Sequence, residues 1–441
     1  MISNDKIDEL IGVDESFESA YKLMDILKDK NERIELFKKF VEIENDFSFD
    51  WFTNYFQEEH SNRKNMKQDF TPDGLVQLAN AVLGKAEVNV DVCSGTGGLT
   101  IKRYSENPNA TFFCEEFSDR AIPFLLFNLA IRNVNAYVFH GDSLSRDAKS
   151  VYHLTKSNEF SDIELVDDIA AFEHPNADTA IMNPPYSLTW ERKDEYIEQP
   201  RFKDYGVLAP KSKADFAFLL QGLEELNENG VMSIVLPHGV LFRGASEGKI
   251  RQKLIENNYL DTIIGLPEKL FLNTDIPTVI LVLKKNRTNK DVLFIDASKE
   301  FKKVKNHNEL TQEHIDKVLS IYRQRQDVDK LAYVTEMAEI EENEFNLNIP
   351  RYVDTFEPEP VINLSEVQDD LTRLDLEIKQ SEQEFTSMLQ EIHGTDPETD
   401  KEFQQFKQFF TNRIEKEYHE PIARKRVTEE TTKEMGQMSL L

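Results

Sequence analysis

Hydrophobic spacing along the chain falls into three regimes. Over the first sixty residues apolar positions recur at helical intervals, with Leu10, Ile11, Tyr21, Leu23, Met24 and Ile26 on the faces of short amphipathic helices. From about residue 71 to 300 the pattern becomes short apolar runs, rich in β-branched residues, alternating with helical stretches. The runs Val88–Val92, Thr111–Cys114, Ala136–His140 and Thr179–Met182 read as strands, and so do Val231–Leu236, Thr262–Gly265, Thr278–Leu283 and Val292–Ile295. Runs that are apolar on both faces and separated by helices predict an α/β domain with a mostly parallel sheet of seven or eight strands. Beyond residue 300 the chain turns polar and helical. Glu357-Pro358-Glu359-Pro360 reads as a linker. Helical spacing resumes from Leu364 to about Ile392, with Val367, Leu371, Leu374 and Ile378 in register, and again from Phe403 to Tyr418. The expected organisation is a helical segment over 1–60 and an α/β domain over 61–300. A helical extension with a linker follows over 301–360, and a helical region that suits a partner over 361–441.

Composition narrows the function classes. The 441 residues hold 81 Asp+Glu against 52 Lys+Arg, a formal charge of −29. The acidic excess is heaviest in the first sixty residues and after residue 360. Phosphate neutralisation needs Lys and Arg, so this balance argues against a self-sufficient nucleic-acid binder. Two cysteines, Cys93 and Cys114, allow no disulfide framework and no paired-Cys zinc site, and suit a reducing compartment. No apolar run approaches the ~18 residues of a membrane span, and the first residues carry no signal-peptide pattern, so a soluble cytoplasmic protein is expected.

The chemistry sits at strand ends. After Val88–Val92, which carries Asp91, the chain reads Cys93-Ser94-Gly95-Thr96-Gly97-Gly98 and enters a helix. Gly95 and Gly97 permit a tight turn and close approach of a ligand to the backbone. No Lys-Ser/Thr follows, which excludes a P-loop, and alone such a turn is also common in α/β units without a ligand. The next strand ends Cys114-Glu115-Glu116 about twenty residues on, where a carboxylate can accept both hydroxyls of a ribose. The third ends His140-Gly141-Asp142, and Asp142 can accept from an adenine amino group. A Gly-rich turn followed by two acidic strand ends predicts an adenosine site. The fourth strand runs into Asn183-Pro184-Pro185-Tyr186. Two prolines end the strand rigidly. Asn183 and the Pro184 carbonyl can offer two acceptors to one exocyclic amine, and Tyr186 offers a flat stacking face. Two acceptors on a ring-conjugated amine draw its protons out of plane and make its nitrogen more nucleophilic.

In this order, Gln68-Asp69-Phe70-Thr71-Pro72-Asp73, then Asp91-Val92-Cys93-Ser94-Gly95-Thr96-Gly97, then Asn183-Pro184-Pro185-Tyr186, the sequence resembles the S-adenosylmethionine-dependent adenine-N6 DNA methyltransferases. Downstream blocks such as Lys213-Ala214-Asp215-Phe216-Ala217-Phe218, Leu236-Pro237-His238-Gly239 and Asn346-Leu347-Asn348-Ile349-Pro350-Arg351-Tyr352 are similar to the modification subunits of type I restriction-modification systems. The resemblance covers roughly residues 60–392. It implies a Rossmann-like domain that transfers a methyl group from S-adenosylmethionine to a flipped-out adenine, leaving S-adenosylhomocysteine. Asp91 and Gly97 would belong to the cofactor site, with Gln68 to Asp73 over the methionine part of the cofactor, Cys93, Ser94 and Gly95 beneath it, Glu116 on the ribose and Asp142 on the adenine. Asn183, Pro184, Pro185 and Tyr186 would be catalytic, with no metal. The implied partners are double-stranded DNA, a specificity subunit joined by two copies of this chain, and a restriction subunit where the system also cuts DNA. Two departures stand out: the N-terminal helical segment is shorter than is usual, and Val92-Cys93-Ser94 replaces the Pro and small residues common in the turn.

Other residues fit simpler roles. His238 after a strand reads as a turn histidine, because the methylated amine releases its proton to water unaided. Asp215 suits a helix N-terminus by dipole complementarity, and Phe216 or Phe218 either pack the core or line a base pocket. Cys93 has no basic neighbour in sequence to activate it. Two rival readings remain open here, a protein-glutamine methyltransferase that uses the same tetrapeptide and a non-catalytic acidic scaffold.

Overall fold

The computed structural model describes residues 2–59, 70–166, 175–271, 274–305, 307–355 and 363–419. The chain divides into two compact units, Met1–Phe356 and Glu357–Leu441.

The first unit is built on an eleven-stranded sheet with the order β13-β10-β8-β9-β7-β6-β1-β2-β3-β4-β5. Its strands are β1 (Val88–Val92), β2 (Thr111–Glu116), β3 (Asn135–Asp142), β4 (Asp147–Thr155), β5 (Asp162–Val166), β6 (Ala177–Met182), β7 (Leu226–Pro237), β8 (Leu260–Gly265), β9 (Thr278–Lys284), β10 (Val292–Asp296) and β13 (Ala332–Thr335). Among these only β4, β9 and β13 run against the rest. All eight strands expected from the apolar runs are present and form the continuous middle of the sheet. The three additional strands, β4, β5 and β13, lie toward its edges. β4 and β5 are only partly buried and mix polar with apolar residues, so they lack the apolar signature of a two-faced buried strand. Strands β11 (Lys302–Val304) and β12 (His307–Glu309) form a separate hairpin. With β13 they put β structure into a stretch expected to be helical.

Both faces of the sheet are covered by helices. α1 (Asn4–Ile11), α2 (Ser19–Lys28), α3 (Lys30–Ile43) and α4 (Thr53–Glu59) carry the apolar spacing of the first sixty residues. They share one core with α7 and the β2–β3 face, where Phe37, Phe40, Phe52, Phe56 and Phe127 are fully buried. Edge-to-face contacts of Phe127 with Phe37 at 4.9 Å and with Phe40 at 4.8 Å lock the segment on. Further along lie α5 (Asp73–Ala81), α6 (Gly98–Glu106), α7 (Ile122–Ile131), α8 (Asp215–Glu224), α9 (Ala245–Glu256) and α10 (Gln312–Gln324). α5 and α10 close one face over Ile181, Val235, Ile264 and Leu293. α8 and α9 close the other over Ala180, Met182, Ile234 and Phe294.

The second unit comprises α11 (Leu364–Glu391) and α12 (Pro397–His419). Phe385 meets Phe410 at 5.2 Å, Lys407 donates to the Gln390 carbonyl at 3.1 Å, and Leu389 is buried between the helices. Along α11, Leu364, Leu371, Leu376 and Ile378 remain more than half exposed. No described helix is long and apolar enough to cross a membrane.

Strand order is what positions the site. The chain runs from β1 outward to β2 and β3, then returns to lay β6 on the other side of β1, with Asp91 beside Ile181. The connections after β1 and β6 therefore leave the sheet in opposite directions. The crevice between them is where ligands of such sheets bind.

Candidate active site

A cavity of about 310 Å³ opens at that crevice, within the usual size of small-molecule sites. The turn after β1 forms its floor. The N–H groups of Cys93 and Ser94 donate to the Glu115 carbonyl at 3.0 and 2.9 Å, which stitches the turn to β2. Cys93, Gly95 and Gly97 all take left-handed conformations, with φ of 73°, 60° and 101°. At Gly97 an added Cβ would also come within 3.0 Å of Leu125 Cδ1. A Gly97→Ala variant should therefore lose about 1–2 kcal/mol of folding stability in denaturant titration; an unshifted midpoint would show that the turn accepts a side chain. Cys93 is held as a thiol, since burial first and the charges of Glu116 and Glu115 next push its pKa well up.

Glu116 closes the wall at the end of β2. Its carboxylate accepts the N–H of Gly95 at 2.8 Å and of Ser118 at 2.7 Å. Burial raises its pKa and these N–H donors oppose the rise. Phe117 follows it on the cavity wall, half exposed, with the Lys149 ammonium 4.4 Å over its ring. Asp142 lies beside it at the end of β3 and accepts from Leu144 N at 2.8 Å and Ser145 N at 3.2 Å. The buried Arg201 donates to the carbonyls of Ser143 and Leu144 and fixes that turn from behind.

Asn183, Pro184, Pro185 and Tyr186 form the opposite wall. Asn183 Nδ2 donates to Thr71 Oγ1 at 2.8 Å, and the Tyr186 hydroxyl donates to Asn183 Oδ1 at 2.7 Å. The Tyr186 ring stands edge-on to Phe271 with centroids 5.7 Å apart. Immediately beyond, Ser187 is left-handed at φ 52° and its N–H donates to Asp215 Oδ1 at 2.7 Å. Asp215, fully buried at the start of α8, takes Arg243 on its other oxygen at 2.9 Å, and Arg243 also reaches Glu247 at 3.1 Å. Asp215 thus anchors the loop as well as standing at a helix N-terminus.

Phe70, Thr71, Cys93, Ser94, Gly95, Glu116, Asp142 and Asn183 to Tyr186 all line the one cavity. Pro72, Asp73 and Gly97 lie next to it in sequence without lining it. Gln68 and Asp69 fall outside the described residues. Asp91, expected at the cofactor, is turned away under α6, where its Oδ2 accepts the Thr100 hydroxyl at 2.6 Å. Burial pushes its pKa up to about 7, against about 3.8 for an ordinary Asp. The folded protein therefore binds a proton that the unfolded chain has released between roughly pH 4 and 7, and stability falls as pH rises through that window. Asp91→Asn should make the decline shallower in denaturation series from pH 5 to 8. The decline should not vanish, because burial also pushes Glu225 up to about 8. A slope identical to the wild type would remove Asp91 as its source.

Further residues complete the walls. Leu188, Thr189, Trp190 and Glu191 extend the wall past Tyr186, Phe218 of α8 lines it while Phe216 packs in the core, and Thr53 enters from the N-terminal segment. Adjacency to Tyr186 and Glu116 could have pointed to Leu188–Glu191 and Phe117. No local signal marks Thr53. His238 does not line the cavity, and burial lowers its pKa.

A family model described as N-6 DNA Methylase matches residues 47–360. The chain is 32% identical over 301 residues to the type I restriction enzyme MpnII methylase subunit of Mycoplasma pneumoniae, covering 65% of this chain and 53% of that protein. It is 30% identical over 364 residues to the type I restriction enzyme MjaVIII methylase subunit of Methanocaldococcus jannaschii, covering 79% and 59%. Among solved structures it matches the type I restriction-modification system methyltransferase subunit from Streptococcus thermophilus with a TM-score of 0.58 and 44% identity, covering 65% and 59%. The chain spans between half and three fifths of the length of both curated relatives.

Proposed function

The chain belongs to the N-6 DNA methylase family, and from that premise we propose that it transfers a methyl group from S-adenosylmethionine to the N6 amine of adenine in double-stranded DNA, as the modification subunit of a type I restriction-modification assembly. The observation that carries this reading is the meeting of two chemistries in one cavity. A ribose-type acceptor, Glu116, and an amine-type acceptor pair, Asn183 with the Pro184 carbonyl, face each other across the crevice between β1 and β6.

The residues fit the cofactor. Each oxygen of Glu116 takes one backbone N–H and retains acceptor capacity for a ribose hydroxyl. Asp142 and Phe117 line the adenine side, and Phe70 and Thr71 the methionine side. When bound, S-adenosylmethionine supplies an electrophilic sulfonium methyl.

The protein's task is then alignment, which can supply most of the barrier reduction in a bimolecular transfer. Adenine in a duplex cannot enter this cavity, so it must rotate out of the stack. Tyr186 offers its face to the extruded base. Thr71 fixes the amide of Asn183, so that its Oδ1 points toward the incoming amine. That oxygen takes the Tyr186 hydroxyl on one lone pair and keeps the other for an N6 proton. The Pro184 carbonyl accepts the second proton. No histidine lines the cavity among the described residues, in keeping with loss of the amine proton to water after transfer.

DNA grip and sequence choice fall to a specificity subunit, two copies of this chain serving one such subunit. The charge of −29 supports that division, because a subunit carrying only the chemistry need not hold phosphates itself. The exposed apolar positions of α11 suit that partner. Co-expression with a neighbouring specificity subunit, followed by mapping of N6-methyladenine, tests the proposal. Site-specific adenine methylation that needs both chains is the expected result. Methylation by this chain alone would overturn the partner assignment, and methylation of a protein glutamine in place of DNA adenine would overturn the substrate.

A further inference from the structure

The N-terminal helical segment reaches the cavity through a polar cluster that the chemistry above does not use. Asp50 sits three residues before α4. Its Oδ1 accepts Phe52 N–H at 2.9 Å and Asn128 Nδ2 at 2.7 Å. Its Oδ2 accepts the hydroxyls of Thr53, at 2.8 Å, and of Thr96. Asn128 donates also to the Thr96 carbonyl at 2.8 Å, and the buried Arg132 donates to the carbonyls of Phe47 and Phe49 at 2.8 and 2.6 Å. The 47–53 stretch is thereby fixed at once to α7 and to the Gly-rich turn.

Thr53 and Thr96 both line the cavity. A Cβ built at Gly98 would lie 3.9 Å from Asp50 Oδ2 and 4.0 Å from Thr53 Oγ1, so the carboxylate and the hydroxyl stand at the first residue of α6. Both hydroxyl protons point to Asp50, which leaves the threonine oxygens as acceptors. Arg132 spends its donors on Phe47, Phe49 and Asn128 rather than on the cavity. Nearby, Asp73 has its pKa raised by desolvation first and by the charge of Asp50 next. This end of the site therefore gathers acceptors and negative charge. A carboxylate would be repelled there, whereas an ammonium would be matched on both counts.

We propose that Thr53, backed by Asp50, forms the subsite for the α-ammonium of the cofactor's amino-acid end, with Thr53 Oγ1 accepting its hydrogen bond. The proposal rests on the cofactor reading above and makes the N-terminal segment part of the ligand site rather than an appendage to it.

Calorimetry on the full chain separates an ammonium contact from a general effect on the turn. The probes are S-adenosylhomocysteine, which carries the ammonium, and 5′-methylthioadenosine, which keeps the adenosine and thioether but lacks the amino-acid end. Thr53→Val should weaken S-adenosylhomocysteine about tenfold, the scale of one charge-assisted hydrogen bond, while methylthioadenosine binds as to the wild type. Asp50→Asn, which keeps the shape and removes the charge, should show the same selectivity. Equal weakening of both ligands, or weakening of neither, overturns the proposal. A wild-type chain that binds neither ligand overturns the cofactor reading and this proposal with it, so the two failures are distinguishable. Thr53→Val removes no buried charge, and an unchanged thermal midpoint identifies it as folded.

Discussion

Asn183→Ala should reduce adenine methylation by about 10²–10³-fold or more, the scale for removing one positioned hydrogen-bonding group from a reacting centre. The amide is set in the cavity by Thr71 on one side and Tyr186 on the other. Alanine deletes the acceptor for the amine and releases both neighbours at once. The cavity floor does not depend on Asn183, because Cys93 and Ser94 are bonded to the Glu115 carbonyl and Glu116 to Gly95 and Ser118. Cofactor affinity measured by calorimetry should therefore stay within a few-fold of the wild type. A variant that loses cofactor binding together with activity would show that Asn183 belongs to the cofactor rather than to the amine. Asn183→Asp keeps one acceptor oxygen but adds charge beside a cationic sulfonium, and should bind the cofactor no more weakly while transferring slowly.

The second large effect is expected at Asp215, which touches no reacting atom. It is fully buried, takes Ser187 N–H on one oxygen and Arg243 on the other, and so holds the residue that follows Asn183-Pro184-Pro185-Tyr186 in a left-handed conformation. Asp215→Ala leaves a half-buried guanidinium without its main partner and a backbone N–H without an acceptor. Breaking such a pair on one side costs about 3–5 kcal/mol, a large share of the 5–15 kcal/mol that holds a typical domain. Asp215→Asn keeps the Ser187 acceptor and should lose clearly less stability. Denaturant titration of both variants decides the point. Equal, small losses would mean that Ser187 and Arg243 find other partners, and that Asp215 serves α8 alone. Where the Asn variant remains folded, slower methyl transfer at unchanged cofactor affinity would mark Asp215 as a positioning residue for Tyr186.

Much of the site was legible because each of its chemical groups follows directly on a strand. A carboxylate at the end of β2, another at the end of β3 and an Asn-Pro-Pro-Tyr at the end of β6 need only the strand boundaries to be placed at one end of a parallel sheet. Asp91 shows where that logic stops. It lies one residue before the end of β1, and the alternation of a strand sends its side chain to the face under α6 instead of to the crevice. Thr53 shows the opposite failure. It sits in a helical segment more than forty residues before the Gly-rich turn, with nothing in its neighbours to mark a ligand, and reaches the cavity only because Phe37, Phe40, Phe52 and Phe56 dock that segment on α7.

The sheet divides in the same way. The strands buried on both faces announce themselves as apolar runs, because burial of both faces leaves no room for alternation. β4 and β5 do not, since they are partly solvated and mix polar with apolar residues, and β13, with four residues, is too short a run to stand out. By itself the sequence determined what is local in this protein: the α/β class, the helical ends, the turns that need glycine, and the chemical groups at each strand's end. Tertiary structure alone decided what is long-range. It set β6 beside β1 so that residues some ninety positions apart share a crevice, turned Asp91 away from the cavity, and brought the N-terminal segment in as a wall. Local spacing constrains dihedrals and faces. Strand order and docking follow from how two apolar sheet faces are buried at once, and no short stretch of sequence contains that information.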